Sequence, residues 1–247
     1  MLLGIMGAMP EEMNKIIAAI TDKEMVESGS RTYYKGKLYG QDVVAVFSRW
    51  GKVAAATTAT NMILRYNVDQ IVFTGVAGGI SPEINIGDIV VGHQLFQHDM
   101  DARPLMQRFE IPLTNKTSFL TRKQDVETMS QAVSNFITNN TEFINVLTEQ
   151  YKIHPQKVIG DIASGDLFIS SSKMKNAIVK NLPTVVCAEM EGAAVAQVCD
   201  DYNIPLVVVR VISDSADEEA HTSAIEFVNK HASEYSLAIL KEYIELI

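Results

Sequence analysis

Short apolar runs recur along this chain, and most are followed by a stretch in which apolar residues return every third or fourth position. Leu2 to Met6 is apolar apart from Gly4 and reads as a buried strand. Gly7-Ala8-Met9 turns the chain, and Pro10 suits the first position of a helix over Glu11 to Ile20. Tyr33 to Tyr39 and Val43 to Ser48 read as strands joined at Gly40-Gln41, and Gly51 opens an alanine- and threonine-rich helix reaching Arg65. Gln70 to Thr74 is a further buried strand, ending in the small-residue loop Gly75 to Gly79; Ile86 to Val91 follows as a strand. Asp99 to Thr121, with Pro104, Pro112 and mixed charges, is a long loop of the kind that compact domains often keep for function. Helices are predicted over Gln124 to Asn139 and Thr141 to Tyr151, then a strand over Val158 to Ala163, a turn at Ser164-Gly165-Asp166 and a helix over Lys173 to Lys180. Val185 to Glu189 is a strand, Glu191 to Tyr202 a helix, Leu206 to Ile212 a strand, and Ser223 to Leu246 a final helix. Strands alternating with helices predict one α/β domain over residues 1–247, with a central, mixed, mostly parallel twisted sheet flanked by helices. There is no repeat, low-complexity tract or linker.

In α/β proteins ligands gather at the carboxyl ends of the strands. Four segments carry polar groups just after a predicted strand: Gly7 to Glu12, Gly75 to Gly79, Glu189-Met190-Glu191 and Arg210 to Asp214. They could share one pocket although the sequence separates them widely. The stretch Ala188-Glu189-Met190-Glu191-Gly192-Ala193-Ala194 is the most informative, because an acidic pair at a strand end is costly unless something pairs or uses it. Glu11 and Glu12 favour a helix N-terminus through its dipole, or one of them is a general base in a cleft. Asp214 is a helix cap or a site carboxyl. Arg210 interrupts the apolar run Val207 to Ile212, so its guanidinium needs an anion, with Glu189 or Glu191 at hand. Gly75 to Gly79 fits neither a Walker loop nor GxGxxG; it is a tight turn or a place where a ligand meets the backbone. The five histidines show no metal-binding spacing, and no GxSxG elbow surrounds Ser164 or Ser170 to Ser172. No metal and no cofactor are expected.

Composition narrows the partners. Hydrophobic residues make up 47% of the chain and charged ones 21%, as in an ordinary globule with a sizeable core. The formal net charge of −9 argues against nucleic acid or an anionic membrane as partner. Cys187 and Cys199 both lie in apolar segments and read as core thiols. The apolar run at Met1 to Met9 is short and has no basic flank, so no secretory leader is expected, and no run approaches membrane-spanning length. A reduced cytoplasm fits these features.

Read in order, several pieces resemble the purine nucleoside phosphorylase and nucleosidase superfamily, and within it the bacterial 5'-methylthioadenosine/S-adenosylhomocysteine nucleosidases. They are Gly4 to Glu12, Gly51 to Ala56, Thr74 to Gly79, Ile86 to Val91, His98-Asp99, Ser164 to Ile169, Ala188 to Ala193 and Arg210 to Asp217. The resemblance implies a nucleoside phosphorylase-like fold and a residue-by-residue assignment. Glu12 would activate water, and Asp214, supported by Ser213, would protonate the purine N7. Glu191 would hold the ribose hydroxyls, with Met190 against the sugar and Arg210 orienting water and Glu191. Phe168 would stack on adenine, and the Ile169 backbone would read its edge. Ala8, Met9, Trp50, Val76, Ala77, Gly78 and Glu189 would complete the substrate pocket. Such a mechanism needs Asp214 protonated and Glu12 ionised, hence opposed environments. The resemblance also implies a homodimer in which Leu105, Met106 or Phe109 closes the neighbouring subunit's site.

Phosphorylases of this fold need cations for phosphate. The first strand-end loop here carries two acids and no arginine, which favours hydrolysis; the sequence leaves the direction of Arg49 and Lys52 open. A phosphate-dependent phosphorylase and a non-catalytic nucleoside-binding protein are the alternatives, the latter ranked last because Glu12, Glu191 and Asp214 are all present. Trp50, Val76, Ala224 and the stretch Asp101 to Pro112 depart from the more familiar members. They leave the 5' substituent open between methylthio, homocysteinyl, deoxy and futalosine-type groups.

Overall fold

The computed structural model describes all of residues 1–247. Its strands are β1 (Leu3–Gly7), β2 (Thr21–Ser28), β3 (Arg31–Leu38), β4 (Gln41–Phe47), β5 (Gln70–Gly79), β6 (Ile89–Gln97), β7 (Phe119–Leu120), β8 (Lys157–Ser164), β9 (Val185–Glu189) and β10 (Leu206–Asp214). The helices are α1 (Pro10–Ala19), α2 (Lys52–Tyr66), α3 (Lys123–Asn139), α4 (Thr141–Tyr151), α5 (Ser172–Asn181), α6 (Gly192–Tyr202), α7 (Ala220–Phe227) and α8 (Ser233–Ile244). The predicted final helix is present as α7 and α8, joined by a π-helical turn over Val228–Ala232.

All strands belong to one mixed sheet. β1 lies parallel between β4 and β5, while β2, β3 and β4 form an antiparallel meander at one edge. Beyond β5 the pairing closes on itself: β5 pairs with β10, β10 with β6, β6 with β8, β8 with β9, and β9 returns to β5. This ring gathers the carboxyl ends of β5, β8, β9 and β10, elements up to about 140 positions apart, around one mouth.

Both faces of the sheet are buried, and alternation along each strand assigns side chains to one face or the other. Leu3 and Ile5 of β1, with Val207, Val209 and Val211 of β10, pack with Met13 and Ile16 of α1, Phe136 of α3 and Tyr235 of α8. Met6, Val208 and Ile212 point the other way, onto Ala55, Ala59 and Met62 of α2 and Ala193 and Cys199 of α6. No helix is long and apolar enough to cross a membrane.

Four elements differ from the pattern, one of them β7, a two-residue strand that pairs with β6 inside the predicted loop Asp99 to Thr121. β2 is absent from the apolar periodicity because it is a mostly exposed edge strand. The small-residue stretch Gly75 to Gly79 is not a loop: it continues β5, pairing Gly75 with Arg210, Val76 with Val211 and Ala77 with Ile212, then Gly78 and Gly79 with β9. The strand read at Ile86 begins instead at Ile89 and runs on to Gln97 along β8.

Candidate active site

Glu11 and Glu12 separate in the first turn of α1: Glu11 is exposed and Glu12 is buried. Glu12 Oε2 accepts hydrogen bonds from the backbone N–H groups of Ala8 (2.7 Å) and Met9 (2.9 Å), and Oε1 accepts one from Val76 N (3.0 Å). The bond to Met9 closes a capping arrangement at the start of α1. A Cβ on residue 75 would lie 2.7 Å from Glu12 Oε1, so the carboxylate reaches the β5 backbone only because that position is glycine.

Arg210 is almost wholly enclosed, at 1% exposure, and the structure chooses between its two offered anions. Glu189 Oε2 accepts from Nη2 (2.7 Å) and Nε (3.3 Å), while Nη1 donates to the carbonyls of Phe73 and Val209. The guanidinium also lies 4.2 Å from the Phe73 ring centroid. Glu189 takes more donors still: Ser164 Oγ, the Gly192 N–H on both oxygens, and the Glu191 N–H. Ser164 Oγ in turn accepts from Ala193 N (2.7 Å), tying β8 to the first turn of α6. This corrects the expectation that Glu189 binds substrate: its acceptor sites are taken by the protein, and it serves as the counter-ion of Arg210. No hydrogen bond joins Arg210 to Glu191, which it reaches only through its charge.

Glu191 caps α6 and is buried, yet its side chain has one protein donor, Gly51 N at 2.8 Å from Oε1. Burial pushes its pKa above the ordinary carboxylate value of 4.5; the negative charges of Glu189 and Glu12 push the same way, and the Gly51 N–H and Arg210 pull it back.

Asp214 ends β10. Its Oδ1 accepts from Ala216 N (2.9 Å) and its Oδ2 from Ser213 Oγ (2.8 Å), whose hydroxyl also lies 3.4 Å from the Ala77 carbonyl. The expectation of opposed environments for Glu12 and Asp214 holds only in degree, since burial raises the pKa of both. Against burial, Glu12 has Arg210 and three backbone N–H groups favouring its ionised form. Asp214 has one N–H, one hydroxyl and distant Lys175, and Asp217 adds to the push toward protonation.

The remaining predicted residues fall into two groups. Ala8 and Ala77 are buried at the strand ends, Met9, Val76, Gly78 and Met190 are half-buried, and Phe168 is exposed at 44% beside buried Ile169. Ile169 packs in a small cluster with Ile80 and Ala216, next to Asp214. Trp50 and Leu105 stand out in solvent at 66% and 88%. Trp50 therefore stands at the rim, next to Gly51, and is not enclosed by its own chain. Met106 is half-buried, and Phe109 packs against its own chain's Ile169 cluster. Two residues of the site carry no role in the sequence analysis: Ser164, which donates to Glu189, and Gly51, whose N–H holds Glu191. Both lie in segments that carry the family resemblance, which was the available signal.

The cations near the mouth are all engaged. Arg49 donates to the Ser30 carbonyl, and Arg31 to the carbonyls of Ser48, Gly29 and Ala54. Lys52 Nζ bonds Asp99 Oδ1 (2.6 Å) and Gln97 Oε1 (3.2 Å).

Comparison with known proteins places this geometry in a context. The family described as the Phosphorylase superfamily matches residues 2–245. A relative from Helicobacter pylori, an aminodeoxyfutalosine nucleosidase, is 33% identical over 247 residues, covering 98% of this chain and 97% of its own. The crystal structure of 5'-methylthioadenosine/S-adenosylhomocysteine nucleosidase from Neisseria meningitidis, in complex with methylthio-immucillin-A, superposes with a TM-score of 0.87 at 29% identity, covering 100% and 99% of the two chains. Futalosine hydrolase of Helicobacter pylori superposes with a TM-score of 0.84 at 31% identity, covering 100% and 98%.

Proposed function

The chain belongs to the phosphorylase superfamily, and from that premise we propose that it hydrolyses the N-ribosidic bond of adenine nucleosides substituted at the 5' position. Water attacks the anomeric carbon as Glu12 removes its proton. The bond to purine N9 breaks, and Asp214 delivers a proton to N7, so that neutral adenine leaves. Glu191 accepts hydrogen bonds from the ribose hydroxyls with the acceptor sites that Gly51 leaves free. Met190 packs on the sugar, Phe168 stacks on the base, and the Ile169 backbone reads its edge. General acid–base assistance of this kind contributes roughly a hundredfold to ten-thousandfold. Preorganised charge around the developing oxocarbenium ion supplies much of the rest.

The observation that carries hydrolysis over phosphorolysis is the engagement of every neighbouring cation. Arg210 is held by Glu189, Lys52 by Asp99, and Arg49 and Arg31 by backbone carbonyls. A phosphate entering beside Glu12 would meet a buried carboxylate and no unclaimed guanidinium or ammonium. The substrates we assign are 5'-methylthioadenosine and S-adenosylhomocysteine, in line with the Neisseria structure. The Helicobacter relative favours an aminodeoxyfutalosine as a further substrate of the same site. A second copy of the chain, presenting exposed Leu105 and half-buried Met106, completes the 5' end of the pocket.

The test is a panel of these nucleosides and 5'-deoxyadenosine, with and without inorganic phosphate, following free adenine. Adenine release at a phosphate-independent rate, with free sugar as co-product, is expected. A rate that climbs with phosphate and yields sugar phosphate would overturn the assignment.

A further inference from the structure

The first amides of α2 have no acceptor within the helix, and the residue before it, Gly51, has no side chain to cap them. Two carboxylates arrive from far along the chain instead. Gly51 N donates to Glu191 Oε1 and Lys52 N to Asp166 Oδ1, both at 2.8 Å. Gly51 has φ +89°, and a Cβ there would stand 2.9 Å from Asp166 Oδ1, so only glycine fits. Asp166 is aimed by a further contact: its own N–H donates to Asp99 Oδ2 at 2.9 Å. Asp99 Oδ1 binds Lys52 Nζ, which closes a circuit from α2 through Asp99 and Asp166 back to α2. The Lys52 and Asp99 side chains are only 17% and 21% exposed, so solvent screens this pair less than a surface one. The His98 ring packs over Gly165 and holds the other side of the same turn.

We propose that Asp99 is a positioning residue, which through Lys52 and Asp166 fixes the N-terminus of α2 so that Glu191 and the segment Leu167 to Ile169 keep one mutual geometry. The proposal rests on the roles given above to Glu191, Phe168 and Ile169. One side of the circuit holds the ribose carboxylate, and the other leads within three residues to the base-stacking segment. Asp99 touches neither, and it acts by keeping sugar and base sites in register. Small misplacements of such groups cost on the order of a hundredfold in rate.

The experiment takes the full chain with Asp99→Asn, Asp99→Ala and Lys52→Met. Amide hydrogen exchange is followed by NMR on the free protein. In Asp99→Ala the amides of Gly51, Lys52 and Asp166 should exchange at least tenfold faster, while those of β1 and α3 keep wild-type protection; Asp99→Asn, which retains one acceptor, should fall between. Should Asp99→Ala fail to fold, Lys52→Met opens the same circuit and should speed Gly51 and Asp166. In steady state, kcat for methylthioadenosine should drop at least tenfold with the limbs of the pH profile unmoved, because the acid and the base are untouched. Unchanged exchange at Gly51 and Asp166 overturns the proposal, as does a kcat that falls only with the folded fraction. If the wild-type protein releases no adenine, the assigned function fails, and exchange alone then decides the circuit.

Discussion

Glu189 and Glu191 lie two positions apart where β9 ends, both are buried, and their surroundings are opposite. Glu189 is surrounded by donors from β8, α6 and β10, and a guanidinium neutralises it. Glu191 has one backbone N–H and no cation in contact. A buried carboxylate with its acceptors filled stabilises the fold or at least does not oppose it, whereas one left short of donors is tolerated at a cost. That cost is offset only when something supplies the missing hydrogen bonds, and a vicinal diol does so. The difference teaches that substrate-facing acids are recognised by unfilled acceptor capacity, not by burial or by position in a motif.

The largest effect is expected at Glu12, which three backbone N–H groups hold in place and which does the chemistry. Glu12→Gln should lower turnover by about a hundredfold to ten-thousandfold while free adenine still binds, as measured by adenine release and calorimetry. Substantial residual turnover would move Glu12 into the supporting class with Glu189.

Next comes stability. Glu189→Gln leaves the Arg210 guanidinium buried without its counter-ion and should cost roughly 3–5 kcal/mol. For a chain of this size each kcal/mol lowers the melting temperature by about 2–4 °C. Glu191→Gln should show the reverse profile, with a melting point equal to wild type or above it. Its affinity for a nucleoside analogue should fall by about 1.5–3 kcal/mol, the worth of hydrogen bonds to a charged group, with free adenine unaffected. If both variants melt low, or both bind normally, the contrast between the two glutamates is false.

The smallest effect is a pH dependence. The pKa of Glu191 is raised in the folded protein, so between its unfolded value of 4.5 and its folded value the native state holds more protons than the unfolded chain. Stability is then full below 4.5 and falls as pH rises through the folded pKa. Glu12 and Asp214 act in the same direction. Denaturant melts across this range should show a shallower decline for Glu191→Gln than for wild type, and equal slopes would remove Glu191 as the cause.

Much of this was legible in the residue order because each local preference agrees with the fold. Pro10 opens α1, the apolar runs of β1, β9 and β10 are buried on both faces, and Arg210 within such a run announced an ion pair. What escaped depends on contacts across the ring of strands. Gly75 to Gly79 looks like a turn in isolation and becomes strand because β10 and β9 supply its hydrogen bonds. β2 gave no apolar signal because it is exposed at an edge. Which of two neighbouring glutamates meets Arg210 is set by the end of β9 and the start of α6, not by sequence spacing. Lys52 and Arg49 could be counted but not aimed, and their engagement appears only when Asp99 and Ser30 are brought beside them.

Trp50 is the chain's one tryptophan, and it stands in water beside the N–H that holds Glu191. Nature has thus placed a single indole chromophore at the rim of the cleft, with no other to blur its signal. Its emission should be red-shifted in the free protein and move to the blue when a second copy or a bound nucleoside covers that rim. Titrations with each can then be followed by light alone, without a label.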